Sequence, residues 1–142
     1  MKEMSKMDSN FTSINATLVN AKFNFNVAKK INQISVDQLD EIVIGKVYEH
    51  HFELTITRRL NLLPMDQVLA EATFNVRINT ENTETVNSIT DKVKVGMPML
   101  GNVFSRVSLV ISQITSQGPY GPIITVPAYD SNKIAIRIDR EE

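Results

Sequence analysis

Cysteine is absent from this 142-residue chain, which excludes disulfides, thiolate metal sites, iron–sulfur clusters and thiol nucleophiles. The same absence fits a reducing compartment. Glycine and proline number five each, too few for a glycine-rich low-complexity tract. A basic excess is also missing. Fifteen Lys and Arg stand against 16 Asp and Glu, a net charge of −1, without the positive surplus that nucleic-acid binding uses. No run of about 18 apolar residues occurs. The longest uncharged stretch, Val107 to Tyr129, is interrupted by Ser, Gln, Thr, Gly and Pro, so membrane insertion is not expected. The first ten residues, MKEMSKMDSN, lack the apolar core of a secretory signal. They read as a frayed tail on a cytoplasmic protein. No Walker loop, G-x-G-x-x-G, G-x-S-x-G or H-E-x-x-H occurs.

What remains is the composition of a folded chain, 42% hydrophobic and 22% charged, with the length of one domain. That domain is expected over residues 11–142. Its first two-thirds reads as strand. Between Ile14 and Val27, residues Val19, Ala21, Phe23, Phe25 and Val27 recur at spacing two. The segment Lys29 to Glu41 is ambiguous, with Asp37-Gln38-Leu39-Asp40 read as a loop. The clearest strand runs from Ile44 to Arg59, with Tyr48, His50, Phe52, Leu54 and Ile56 on one face. Gln67 to Asn79 alternates again and completes an antiparallel hairpin.

The period then changes. Leu100, Val103, Phe104, Val107, Val110, Ile111 and Ile114 form one face of a helix from Met99 to Gln117, stopped at Gly118-Pro119. Val86, Ile89 and Val93 suggest a weaker turn or short helix before it, with the break at Gly96 and Pro98. Lys133 to Asp139 alternates Ile134, Ile136 and Ile138 as a short strand. Arg106 is the only charge on the long helix. Val107 and Ile111 are expected to face the sheet. Ser105, Ser108 and Ser112 are expected to face another subunit, because charge depletion marks interface cores. A charge-poor surface helix is the plainer alternative.

Little here carries catalysis. His50 and His51 point to opposite faces of a strand and cannot act together. Glu49, His51 and Glu53 share a face on which a metal could be assembled, but such positions are more often a solvated sheet surface. The chain is therefore read as non-enzymatic, without metal or cofactor. Tyr120 and Tyr129 flank Gly121-Pro122-Ile123-Ile124-Thr125-Val126-Pro127, beside the amphipathic helix. Either they line a groove or they close the edge of the core.

The order of parts resembles the SecB protein-export chaperone family. Val47-Tyr48-Glu49-His50-His51-Phe52-Glu53-Leu54-Thr55-Ile56-Thr57 is similar to its central strand, and Val68-Leu69-Ala70-Glu71 to the next. Val103 to Asp130 resembles its long helix, the helix stop at Ser116-Gln117-Gly118, the aromatic Tyr120 and the loop proline Pro127. The resemblance covers Phe11 to Asp130. It implies an α+β fold, an antiparallel sheet of four or more strands with one long helix packed on it. It also implies a homotetramer built as a dimer of dimers, and ATP-independent holding of unfolded polypeptides in hydrophobic grooves. Phe52, Leu54, Phe104, Tyr120, Ile123 and Tyr129 are the groove residues it suggests, and Leu69 and Glu71 match positions that dock the export motor SecA. The alternative on the same fold is an adaptor or antitoxin-binding module with one dedicated partner. Three departures stand out. Ser105 replaces a family proline, the C-terminal strand replaces a second helix, and the acidic SecA-docking positions of the first strand are Lys22 and Asn26.

Overall fold

The computed structural model describes residues 10–24, 35–63, 67–119 and 121–139. Five strands form one sheet: β1 (Phe11–Phe23), β2 (Val36–Val47), β3 (His51–Leu62), β4 (Gln67–Thr80) and β5 (Ala135–Ile138). Their order across the sheet is β1-β4-β3-β2-β5. All pairs are antiparallel except β2–β5, which is parallel. Two helices, α1 (Val86–Val95) and α2 (Gly101–Thr115), follow β4 and are separated by a 3-10 turn at Pro98–Leu100. This is the expected α+β arrangement, an open sheet with the long helix packed on it. The extra strand at Lys133 to Asp139 and the short helix before the long one both form, with slightly tighter limits.

The alternation of β3 and β4 makes the layers. Phe52, Leu54 and Ile56 of β3 and Phe74, Val76 and Ile78 of β4 point to one face and are fully buried. The opposite face carries Thr55, Thr57, Thr73 and Asn75, joined across the strands by side-chain hydrogen bonds. Val103, Phe104, Val107 and Ile111 of α2, with Ile89 and Val93 of α1, complete the core over the apolar face. Val107 and Ile111 thus sit against the sheet, as their spacing indicates.

Two strand readings need correction. The run Ile44 to Arg59 is two strands joined by a tight turn at 48–50. Tyr48 N donates to His51 O at 2.7 Å, and the chain reverses there. Val47 pairs with Phe52, so the turn shifts the phase by one residue, and the bulge between Ile44 and Val47 shifts it back; alternation therefore continues through a change of direction. Tyr48 and His50 are consequently exposed in the turn rather than aligned with Phe52. The second correction is Asp37-Gln38-Leu39-Asp40, which is not a loop but the first half of β2, paired with Asn61, Leu60, Arg59 and Arg58 of β3. Phe25 and Val27, expected at the end of β1, lie outside the described residues.

Helix α1 begins on a local signal. Thr85 is its N-cap, and its side chain accepts from Ser88 N at 3.0 Å. Gly96, at φ 121°, ends it in a conformation that favours glycine. After α2, Gly118 has no room for a side chain, because a Cβ there would run into the Phe23 ring.

Glu84, just before α1, ties the chain's first described residue to the helix. Its carboxylate accepts from Asn10 Nδ2, from Ser88 Oγ at 2.8 Å and from Lys92 Nζ at 2.9 Å. Asn10, expected in the frayed tail, is therefore anchored. Burial of Glu84 opposes its ionisation, but the hydrogen bonds from Lys92, Ser88 and Asn10 and the Lys92 charge outweigh it, holding the carboxyl below its ordinary value of 4.5. A lowered folded-state pKa gives stability that is present above the unfolded value and is lost as pH falls through the folded one. The melting temperature is therefore expected to drop on acidification below about pH 4.5, and less steeply in Glu84→Gln. Parallel melting curves for the two proteins across that range would remove this role.

Candidate functional site

After α2 the chain runs without regular secondary structure from 121 to 134, as a strap over the helix and the edge of the sheet. Its alternation is that of an extended segment. Ile123 and Thr125 turn inward, whereas Ile124 and Val126 are 76% and 63% exposed.

Four anchors fix the strap. Ile123 N donates to Thr115 Oγ1 at 2.8 Å. Ser108 Oγ donates to Thr125 O at 2.7 Å, and Thr125 Oγ1 donates back to Ser108 Oγ at 3.2 Å. Tyr129 donates its hydroxyl proton to Val93 O at 2.9 Å and accepts from Met97 N at 2.8 Å, while its ring lies 5.1 Å from that of Phe104.

The fourth anchor is Arg58, fully buried on the apolar face of β3. Its Nε and Nη2 form a fork on the Asp40 carboxylate at 2.8 and 2.9 Å. Nη1 donates to Thr125 Oγ1 at 2.9 Å and to Val126 O at 2.6 Å, and Nη2 donates to Ala128 O at 2.9 Å. All five guanidinium N–H groups are thereby used. The guanidinium also sits 5.5 Å from the Phe104 ring centroid. A planar, five-donor cation is the side chain that can neutralise a carboxylate and bind three strap oxygens at once.

The strap bounds a cleft of about 790 Å³ at the sheet edge. Leu39, Asp37 and Glu41 of β2 form one wall, and Val126, Tyr129 and Ile134 the other. A second cleft of about 350 Å³, lined by Val95, Met97, Pro98 and Tyr129, lies beside the break between the helices. Tyr129 belongs to both clefts and also packs on the core, so its two readings coexist.

The other groove residues fare differently. Phe52, Leu54 and Phe104 are at most 1% exposed, built into the core, and present no surface to a ligand. Ile123 is half-buried against that core. Tyr120 lies outside the described residues. Ser108 is a correction as well, since it faces the chain's own strap. Ser112 is half-buried and Ser105 exposed. Leu69, matched to a docking position, is fully buried and has no surface for a partner. Glu71 is engaged by Arg59 at 3.4 Å and stands opposite Lys22 in the β1–β4 register. Asn26 lies outside the described residues. His51 stacks on Tyr48 with ring centroids 4.3 Å apart, and Glu53 is exposed opposite Arg77. Among the described residues no three His, Asp or Glu side chains converge to hold a metal ion.

Arg58 and Asp40 were not singled out from the sequence. The signal was available: Arg58 continues the inward phase of Phe52, Leu54 and Ile56, and a charge in core phase asks for a partner.

No family model and no curated protein matches this sequence. Among solved structures, the chain is similar to the SecB-like chaperone Rv1957 of Mycobacterium tuberculosis, solved in complex with a ChAD peptide from the Rv1956 HigA1 antitoxin. The TM-score is 0.63 at 11% sequence identity, with 90% of this chain and 97% of the other covered.

Proposed function

We propose that this protein is a SecB-like chaperone or adaptor that binds extended polypeptide segments without ATP. The observation that carries the reading is the large cleft between the strap and the open edge of β2, on a fold shared with a peptide-binding chaperone. Its walls mix apolar side chains with carboxylates and with the basic Arg59 and Lys133, a surface suited to polypeptide rather than to a small reacting group.

A dedicated-partner adaptor stands beside the general holdase, because the structural neighbour is held with an antitoxin peptide. Coupling to an export motor gains no support. Leu69 is buried, and Glu71 is flanked by Arg59 and Lys22. Self-association fits two exposed features. β1 is a 13-residue edge strand with Leu18 and Val19 exposed, and Leu109 is 56% exposed on a helix face carrying one charge.

The purified protein is expected to delay aggregation of a chemically denatured model protein at stoichiometric ratio without nucleotide. Capture of one stoichiometric partner, with no effect on unrelated unfolded chains, would select the adaptor. Failure to bind any unfolded chain would remove both. Light scattering is expected to give an oligomer that Leu109→Glu reduces in mass. A monomeric native protein would end the assembly reading.

A further inference from the structure

Strand β2 is paired along its length with β3, but on its other side β5 covers only Glu41, Ile42, Val43 and Ile44. Its backbone orientation is fixed at both ends. Leu63 N donates to Ser35 O at 2.8 Å, so that carbonyl points toward β3. Asp139 N donates to Ile44 O at 2.9 Å, so that carbonyl points toward β5. In an antiparallel pair successive residues direct their N–H and C=O groups to opposite sides. Val36, Gln38 and Asp40 therefore aim theirs away from β3, at an edge where no described strand pairs. The large cleft opens directly onto this edge.

β5 shows what the edge accepts. Ile136 and Ile138 stand opposite Ile42 and Ile44, while Arg137 between them reaches Glu41 at 3.1 Å. The pattern is apolar inward and basic outward against a β2 carboxylate. The free half of the edge offers the same arrangement. Tyr129 and Val126 of the strap line the cleft there, Val126 itself 63% exposed, and outward lies Asp37, exposed and in phase with Glu41.

We infer that residues 36–40 of β2 are a strand-acceptor site, at which an extended partner segment alternating apolar and basic residues pairs with Val36, Gln38 and Asp40. An open edge of this kind is a template for strand addition. The inference rests on the polypeptide-binding reading and specifies its mode and the segment it selects.

Gln38→Pro removes one free-edge donor. Its N–H faces away from β3, so the sheet keeps its ladder. Two fluorescent probes are measured by anisotropy: reduced, carboxymethylated α-lactalbumin as an unfolded chain, and a nine-residue peptide alternating isoleucine and arginine. The native protein is expected to bind both. Gln38→Pro, folded by circular dichroism, is expected to bind the peptide about tenfold more weakly, the worth of a backbone hydrogen bond or two. Hydrogen exchange on the native protein supplies a readout independent of any variant. The amides of Val36, Gln38 and Asp40 are expected to slow when peptide is added. Binding of α-lactalbumin with no protection of these amides overturns the strand-acceptor site and leaves the chaperone reading standing. Failure to bind either probe overturns both. A change of oligomeric mass in Gln38→Pro with peptide affinity intact assigns the edge to a second copy and also overturns the inference.

Discussion

Arg58→Ala is expected to cost about 3–5 kcal/mol of folding stability, the range for breaking a buried ion pair by removing one partner. The substitution leaves Asp40, whose side chain is 9% exposed, without its counter-ion. It also strips Val126 O and Ala128 O on the strap of their donor and leaves Thr125 Oγ1 only its bond to Ser108 Oγ. A native domain holds only about 5–15 kcal/mol in total, so urea denaturation would show a large fall in midpoint. Adding Asp40→Leu is expected to restore part of the loss, because the unpaired buried carboxylate disappears with it. The strap would stay loose in the double variant, since its oxygens remain without donors. Greater proteolysis within 121–134 would report that loosening. A double variant as protease-resistant as the native protein would show that the other three anchors suffice.

Phe104→Ala is expected to destabilise by about 3–5 kcal/mol, as large aromatic truncations in a packed core do. The ring is fully buried and carries two further groups, the Tyr129 ring and the Arg58 guanidinium. Its loss therefore opens a cavity beneath the strap as well as within the core. Phe104→Leu keeps much of the volume and is expected to cost less than half as much. Because Phe104 and Arg58 touch, their alanine effects should not add. Strict additivity in the double-mutant cycle would mean that the stacking contributes nothing.

The layers of this fold were legible because alternation at spacing two and the i, i+3, i+4 pattern of α2 both report one buried face. Chain direction was not. The turn at 48–50 and the bulge between Ile44 and Val47 shift the phase in opposite senses and cancel, so the end of β2 and β3 read as one strand. The polar stretch Asp37-Gln38-Leu39-Asp40 looked like a loop because the residue that reconciles Asp40 with burial, Arg58, is 18 positions away. The same blindness misplaced Ser108. Small uncharged polar residues on a helix signal a covered surface, and the sequence cannot distinguish cover by another subunit from cover by the chain's own strap. The aromatic and apolar residues suggested for the groove were chosen for hydrophobicity, the property that sends Phe52, Leu54 and Phe104 inside. Two of the residues that line the cleft, Leu39 and Val126, lie in segments that carried no periodic signal.

The sheet order also sets how the chain assembles in time. The three central strands, β4, β3 and β2, are consecutive in sequence and meet through short connections. The flanks are distant. Asn10 at the head of β1 bonds to Glu84, 74 residues on, and Arg137 of β5 meets Glu41 across 96 residues. Loop closure over such spans costs entropy before any contact compensates, and non-local pairing slows folding. The central meander is thus expected to form first and the outer strands to join late, β5 last. On unfolding the sequence reverses, and the four residues of β5 leave first.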